Sequence, residues 1–172
     1  MDVAQLVQEA KNGNEESFFA LMQVHKERLY RIAYAYLKNE HDALEAVQET
    51  AYRAWKTFGK LRSPQYVSTW LIRILLNCCG DEWKRRKRYA PVTDMPERFE
   101  PDPKLTDAVT RVQLAEALER LDPKLKQIII LKYYEDMTLT EIAETLDRPV
   151  GTVKTWLNKS LTLLKPHLTE GV

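Results

Sequence analysis

Glycine is scarce in this 172-residue chain, five residues in all, and that shortage argues against the turn-rich connections of a β-sandwich or barrel. No stretch alternates apolar and polar residues like a half-buried strand, and no glycine-rich phosphate loop is present. Cysteine is limited to the adjacent pair Cys78 and Cys79. Neighbouring cysteines pair only through a strained ring, so two small buried residues inside a helix are expected instead of a disulfide. His25, His41 and His167 lie far apart with no ligand spacing, and neither a metal site nor a cofactor is predicted. A convergent nucleophile and base are missing too, so no enzyme is expected. The longest apolar run, Leu71 to Leu76, is broken by Arg73 and is far too short to span a bilayer. The N-terminal segment is acidic and amphipathic, unlike a secretory leader, which leaves a cytoplasmic protein as the expectation.

Net charge is also small, +1, but its distribution is uneven. Residues 1–90 carry 15 Lys and Arg against 11 Asp and Glu, an excess of four concentrated in Lys84-Arg85-Arg86-Lys87-Arg88. Residues 91–112 hold 3 basic against 5 acidic side chains, and residues 113–172 hold 8 against 9. Any nucleic-acid contact made by the last segment must therefore rest on local arrangement of charge.

What the chain has in quantity is helical periodicity. Val3, Leu6, Val7 and Ala10 predict a short first helix closed by Asn12-Gly13-Asn14. A second runs from about Glu15 to Leu37, with Phe18, Leu21, Met22, His25, Leu29, Ile32, Ala33 and Tyr36 along one side. A third, from about Asp42 to Phe58, is expected to turn Leu44, Val47, Ala51, Ala54 and Trp55 inward and Asp42, Glu45, Gln48, Glu49 and Arg53 outward. The loop Gly59 to Gln65 leads to a fourth, Tyr66 to Arg88, which ends in the basic run. Trp55 and Trp70 belong by spacing with the core, whereas Phe58 and Tyr66, at the loop edges, are candidates for stacking.

Residues 91–112 change character. Pro91, Pro96, Pro101 and Pro103 stand among acids with few apolar residues, the composition of a flexible linker. Beyond it, Val112, Leu114, Ala115, Leu118 and Leu121 predict one helix and Leu125, Ile128, Ile129, Ile130 and Leu131 a buried second one. Then Thr138 and Glu141 form a capping box ahead of Leu139, Ile142, Ala143 and Leu146, one apolar face. Asp147-Arg148-Pro149 breaks the pattern, and Pro149 suits the start of another helix. That helix is expected to bury Val153, Leu157, Leu161 and Leu164 and to present Lys154, Thr155, Asn158, Lys159 and Thr162. A small residue at the crossing, a short turn and a polar, basic outer face describe a DNA-binding helix-turn-helix. The expected architecture is thus all-α: a helical domain (1–90), a flexible acidic linker (91–112) and a second helical domain (113–172) containing the helix-turn-helix.

Three segments resemble, in order and spacing, the extracytoplasmic-function (ECF) sigma factors of bacterial RNA polymerase. HDALEAVQETAYRAWKTF (His41–Phe58) is similar to the segment that binds the polymerase clamp, with Glu45 where an Asp is more usual. STWLIRILLNCCGDEWKRRKR (Ser68–Arg88) resembles the helix that reads and melts the −10 element. LDPKLKQIIILKYYEDMTLTEIAETLDRPVGTVKTWL (Leu121–Leu157) resembles the domain that reads the −35 element.

The resemblance implies core-polymerase contacts by Asp42, Glu45, Gln48, Glu49 and Arg53. It implies −10 contacts by Lys60, Arg62, Tyr66, Asn77, Lys84, Arg85, Arg86 and Arg88, and −35 contacts by Lys154, Thr155, Asn158 and Lys159. Trp156 and Leu161 stand where the family often carries arginines, which implies weaker phosphate anchoring in the last domain. The implied partners are core polymerase, promoter DNA and an anti-sigma factor, membrane-anchored in some cases, with the linker threading toward the polymerase cleft. A competing expectation is an autonomous helix-turn-helix regulator. That would need a dimer interface, and the last domain has no spare long amphipathic helix to supply one.

Overall fold

The computed structural model describes residues 2–89 and 115–169. The expected linker, 91–112, lies outside the described residues, as does the start of the helix expected from Val112. The chain divides into two units, Met1–Thr93 and Asp94–Val172, and all regular structure among the described residues is helical.

In the first unit, α1 (Val3–Lys11) packs on α2 (Glu15–Leu37). Helix α2 starts at Asn14, whose side chain accepts the Ser17 N–H at 3.0 Å, and Glu15 and Glu16 complement the positive end of the helix. It stops at Lys38, held in the left-handed conformation (φ 53°) while its N–H donates to the Tyr34 carbonyl at 2.8 Å. A non-glycine residue there costs on the order of 1 kcal/mol. The chain then turns, Asn39 caps α3 (Glu40–Thr57), and α3 runs back along α2, so that the Phe18 and Trp55 rings meet at 5.0 Å. Two short 3-10 turns, Phe58–Lys60 and Pro64–Tyr66, lead to α4 (Val67–Tyr89), which packs on both α2 and α3. Leu21, Leu29, Ile32, Leu71, Ile72 and Leu75 are fully buried among these helices, each contributing about 1.5–3 kcal/mol.

Helix α3 is rotated relative to the sequence expectation. Its inward residues are Ala43, Ala46, Thr50 and Ala54, whereas Leu44 is exposed and Val47, Ala51 and Trp55 are only half-buried. The bulkiest apolar side chains suggested one stripe, but α2 and α4 approach α3 closely enough that only small residues fit between them. The same rotation carries Asp42 inward, to 9% exposure. Phe58 is core as well: it is 3% exposed and lies edge-on to Phe18 and Trp70 at 5.5 and 5.7 Å. Tyr66 stays outside.

In the second unit, a helical stretch at 115–120 buries Ala115, Ala117 and Leu118. Helix α5 (Pro123–Ile129) is capped by Asp122 and passes into a single π turn, Ile130–Tyr134, with Ile128 to Leu131 fully covered. Lys126 is buried here too, its Nζ 3.6 Å from Glu119. Helices α6 (Leu139–Leu146) and α7 (Val150–Thr169) follow, and α7 packs on both α5 and α6. Among the described residues no helix is long and apolar enough to cross a membrane.

Candidate nucleic-acid interface

The α6–α7 pair is built by local chemistry legible in its residues. The Thr138 hydroxyl accepts the Glu141 N–H at 3.1 Å while the Glu141 carboxylate accepts the Thr138 N–H at 2.8 Å, the reciprocal pair of a capping box. Helix α6 ends with Asp147 in the left-handed conformation (φ 54°); the Asp147 and Arg148 N–H groups return to the Glu144 and Ala143 carbonyls at 3.3 and 3.0 Å. This is the Schellman closure, made here without glycine. Pro149 follows, and its carbonyl accepts the Val153 N–H at 3.2 Å. Val153, Leu157, Ser160 and Leu164 hold α7 to the unit, with Leu161 only half-buried. Ser160 was not expected in the core; its hydroxyl donates to the Trp156 carbonyl at 2.7 Å, which satisfies it within its own helix.

Lys154, Thr155, Asn158, Lys159 and Thr162 are all exposed, forming one outward row on α7. The row offers two cations, an amide with both donor and acceptor, and two hydroxyls, the groups that reach base edges and phosphates. Trp156 borders the row. It is half-buried, with Lys124 Nζ 5.9 Å and Arg148 Cζ 5.8 Å from its ring centre.

On the first unit, Lys60, Arg62, Tyr66 and Asn77 are exposed around the loop and α4, and Lys84, Arg85 and Arg88 are exposed toward the end of α4. Arg85 is engaged with Glu82 through two bonds of 2.6 and 3.0 Å. Lys87 leans over the Trp83 ring at 4.6 Å. Arg86 differs from its neighbours: it turns back into the unit and pairs with Asp42. The expected grouping of Arg86 with outward phosphate contacts, and of Asp42 with the outward acidic face, therefore needs correcting. Each is the other's partner because the rotation of α3 brings Asp42 beneath the last turns of α4.

The remaining expected contacts of α3 do share a surface. Glu45, Gln48, Glu49 and Arg53 line an open cleft of about 430 Å³ with Cys78, Asp81, Glu82 and Arg85 of α4. Arg53 bridges it, bonding Glu49 at 3.0 Å and Asp81 at 3.2 Å. Burial pushes the Cys78 thiol above its ordinary pKa, so it is a packed group rather than a reactive thiolate. His41, Asp42 and Glu45 bring potential ligand atoms within 4.8 Å of one another, a proximity that histidine spacing alone did not suggest. Asp42 is already engaged by Arg86, however, and the group sits at the positive end of α3.

Residues 21–89 match the family described as Sigma-70 region 2, and residues 111–164 match Sigma-70, region 4. The RNA polymerase sigma factor SigV of Bacillus subtilis is 36% identical over 146 residues, covering 85% of this chain and 87% of SigV. The ECF RNA polymerase sigma factor SigW of the same organism is 29% identical, covering 99% and 98% of the two chains. The chain belongs to the ECF sigma factors.

This sigma factor is accordingly a promoter-specificity subunit of bacterial RNA polymerase and not an enzyme. Its fold has solved counterparts. CnrH, in a complex with the cytosolic domain of CnrY, superposes with a TM-score of 0.71 at 22% identity, covering 99% of the sigma factor and 100% of CnrH. RpoE of Bartonella quintana, in complex with the anti-sigma factor NepR, gives 0.68 at 18% identity, over 90% and 98% of the two chains.

Proposed function

We propose that this sigma factor divides its work between its two units. The first unit docks on core polymerase through the cleft-lining face of Glu45, Gln48, Glu49 and Arg53. It handles the −10 element with Lys60, Arg62, Tyr66 and Asn77 near the opened strand and Lys84, Arg85 and Arg88 on phosphates. Taking a base out of the stack costs a few kcal/mol, so a pocket edge and a charged track must be supplied together. The second unit reads the −35 element with Lys154, Thr155, Asn158 and Lys159.

The observation that carries this reading is the unbroken outward row on α7, set by a capped, Schellman-closed helix pair. The acidic segment 91–112 connects the two activities and occupies the nucleic-acid path of the polymerase until transcript displaces it. The protein works in the cytoplasm and is restrained by an anti-sigma factor, as RpoE of Bartonella quintana is found bound to one.

The experiment that tests it is run-off transcription by bacterial core polymerase with this protein on genomic DNA, followed by mapping of start sites. Start sites sharing paired upstream elements are expected, and Lys154→Ala or Asn158→Ala should lower their use about tenfold while core binding is kept. Absence of any dependent start site overturns the proposal.

A further inference from the structure

The second unit has little positive charge to spare, 8 basic against 9 acidic side chains over residues 113–172, so DNA affinity must come from where its cations sit. Two of them converge on one aromatic ring. Lys124 belongs to the first turn of α5 and Arg148 to the turn ahead of α7, yet both lie within 6 Å of the Trp156 ring centre, at 5.9 and 5.8 Å. Both side chains are exposed, and among the described residues neither is neutralised by a carboxylate. Trp156 is half-buried, and its ring attracts both cations through the negative charge of its face.

Position matters as much as charge. Trp156 and Lys159 are three residues apart on α7 and therefore neighbours on its surface. Arg148 precedes the N-terminal turn of the same helix, the end that enters a major groove in helix-turn-helix docking. The ring and its two cations thus flank the Lys159 edge of the outward row.

We propose that Lys124 and Arg148, held over Trp156, form a phosphate clamp that grips the DNA backbone beside the bases read by α7. The clamp supplies affinity and register and carries no sequence information. Trp156 is its positioning residue: it restrains two long side chains that would otherwise lose several rotamers on binding, so less ordering is required when a phosphate arrives. The inference rests on the reading of α7 as the −35 helix.

The test uses holoenzyme reconstituted from the full chain and core polymerase, with a fluorescent duplex carrying a start site mapped by run-off transcription. Affinity is measured as salt is raised from about 50 to about 200 mM. Lys124→Ala combined with Arg148→Ala should reduce the slope of log affinity against log salt by about 1.8, near 0.9 per lost phosphate contact, with base-pair preferences unchanged. Trp156→Ala should weaken binding several-fold with both cations present, and Trp156→Phe should restore it. An unchanged slope in the double variant overturns the clamp. If Lys154→Ala with Lys159→Ala still lowers the slope in that case, the −35 reading stands without it. If neither pair moves the slope, both readings fall. Because Lys124 and Arg148 are exposed, their replacement tests the clamp even if Trp156→Ala disturbs folding.

Discussion

The Arg86 guanidinium reaches the Asp42 carboxylate at 2.5 Å and donates a second bond to the Leu37 carbonyl at 2.8 Å. With one side chain it fastens the basic end of α4 to the elbow between α2 and α3. Asp42 is almost covered whereas Arg86 keeps about a third of its side chain in water, so it is the carboxylate that would be left stranded without its partner. Asp42→Asn and Arg86→Gln are each expected to lower stability by about 1.5–3 kcal/mol, the range for hydrogen bonds to charged groups. Their effects should not add: a double-mutant cycle by urea unfolding should show about 1–2 kcal/mol of coupling. Strict additivity would mean the two side chains do not act together in solution.

Arg86 and its neighbours should separate cleanly in DNA binding. Lys84 and Arg88 are exposed and, among the described residues, unpaired, so Lys84→Ala with Arg88→Ala should reduce the holoenzyme's salt slope by about 1.8. Arg86→Gln should leave that slope within error while costing stability. Salt titration of both variants on one promoter duplex decides the matter. A slope change in Arg86→Gln would mean that the ion pair opens on DNA.

Glu49 is exposed at the rim of the α3–α4 cleft and pairs along α3 with Arg53, which in turn reaches Asp81 of α4. Reversing its charge, Glu49→Lys, sets two cations against each other and inverts the field the docking face presents. Affinity for core polymerase is expected to drop about tenfold or more, mainly through slower association. The −35 duplex should be bound by the resulting holoenzyme as before. Surface plasmon resonance with immobilised core enzyme measures the first quantity, and an unaltered association rate would remove Glu49 from the interface.

His25 lies on the core side of α2 with its Nε2 buried and without a hydrogen-bond partner. Burial, reinforced by Arg28, lowers its pKa below 6.5. The unfolded chain takes up a proton near pH 6.5 while the folded one resists, so stability is complete above that pH and is lost as pH falls toward the depressed folded value. His25→Leu should flatten this acid sensitivity. It should also raise stability at neutral pH by about 1 kcal/mol, since it removes an unsatisfied polar atom. Urea midpoints at neutral and mildly acid pH provide the readout.

Much of this was written in local patterns. Helix α2 begins and ends at Glu15 and Leu37 as its periodicity and flanking residues demand, and the Thr138–Glu141 box is a three-residue signal that the structure makes with both bonds. The outward row on α7 follows from helical spacing alone. What escaped was set by packing between distant segments. The buried face of α3 is chosen by how closely α2 and α4 approach and not by side-chain size, and Phe58, at a loop edge in sequence, is enclosed by Phe18 and Trp70. The partners of Arg86 and Trp156 lie across turns and helix crossings, where no spacing rule reaches.

The alanine-lined seam of α3 also has a bearing on how the protein can change over time. Ala43, Ala46 and Ala54 have no rotamers to adjust, so the helix stands at a fixed height above its neighbours. One added methylene there would lift the entire ridge, and Glu45, Gln48 and Glu49 with it. For folding, therefore, change is cheap on the outer side of this helix, where only a docked partner constrains it, and nearly forbidden underneath.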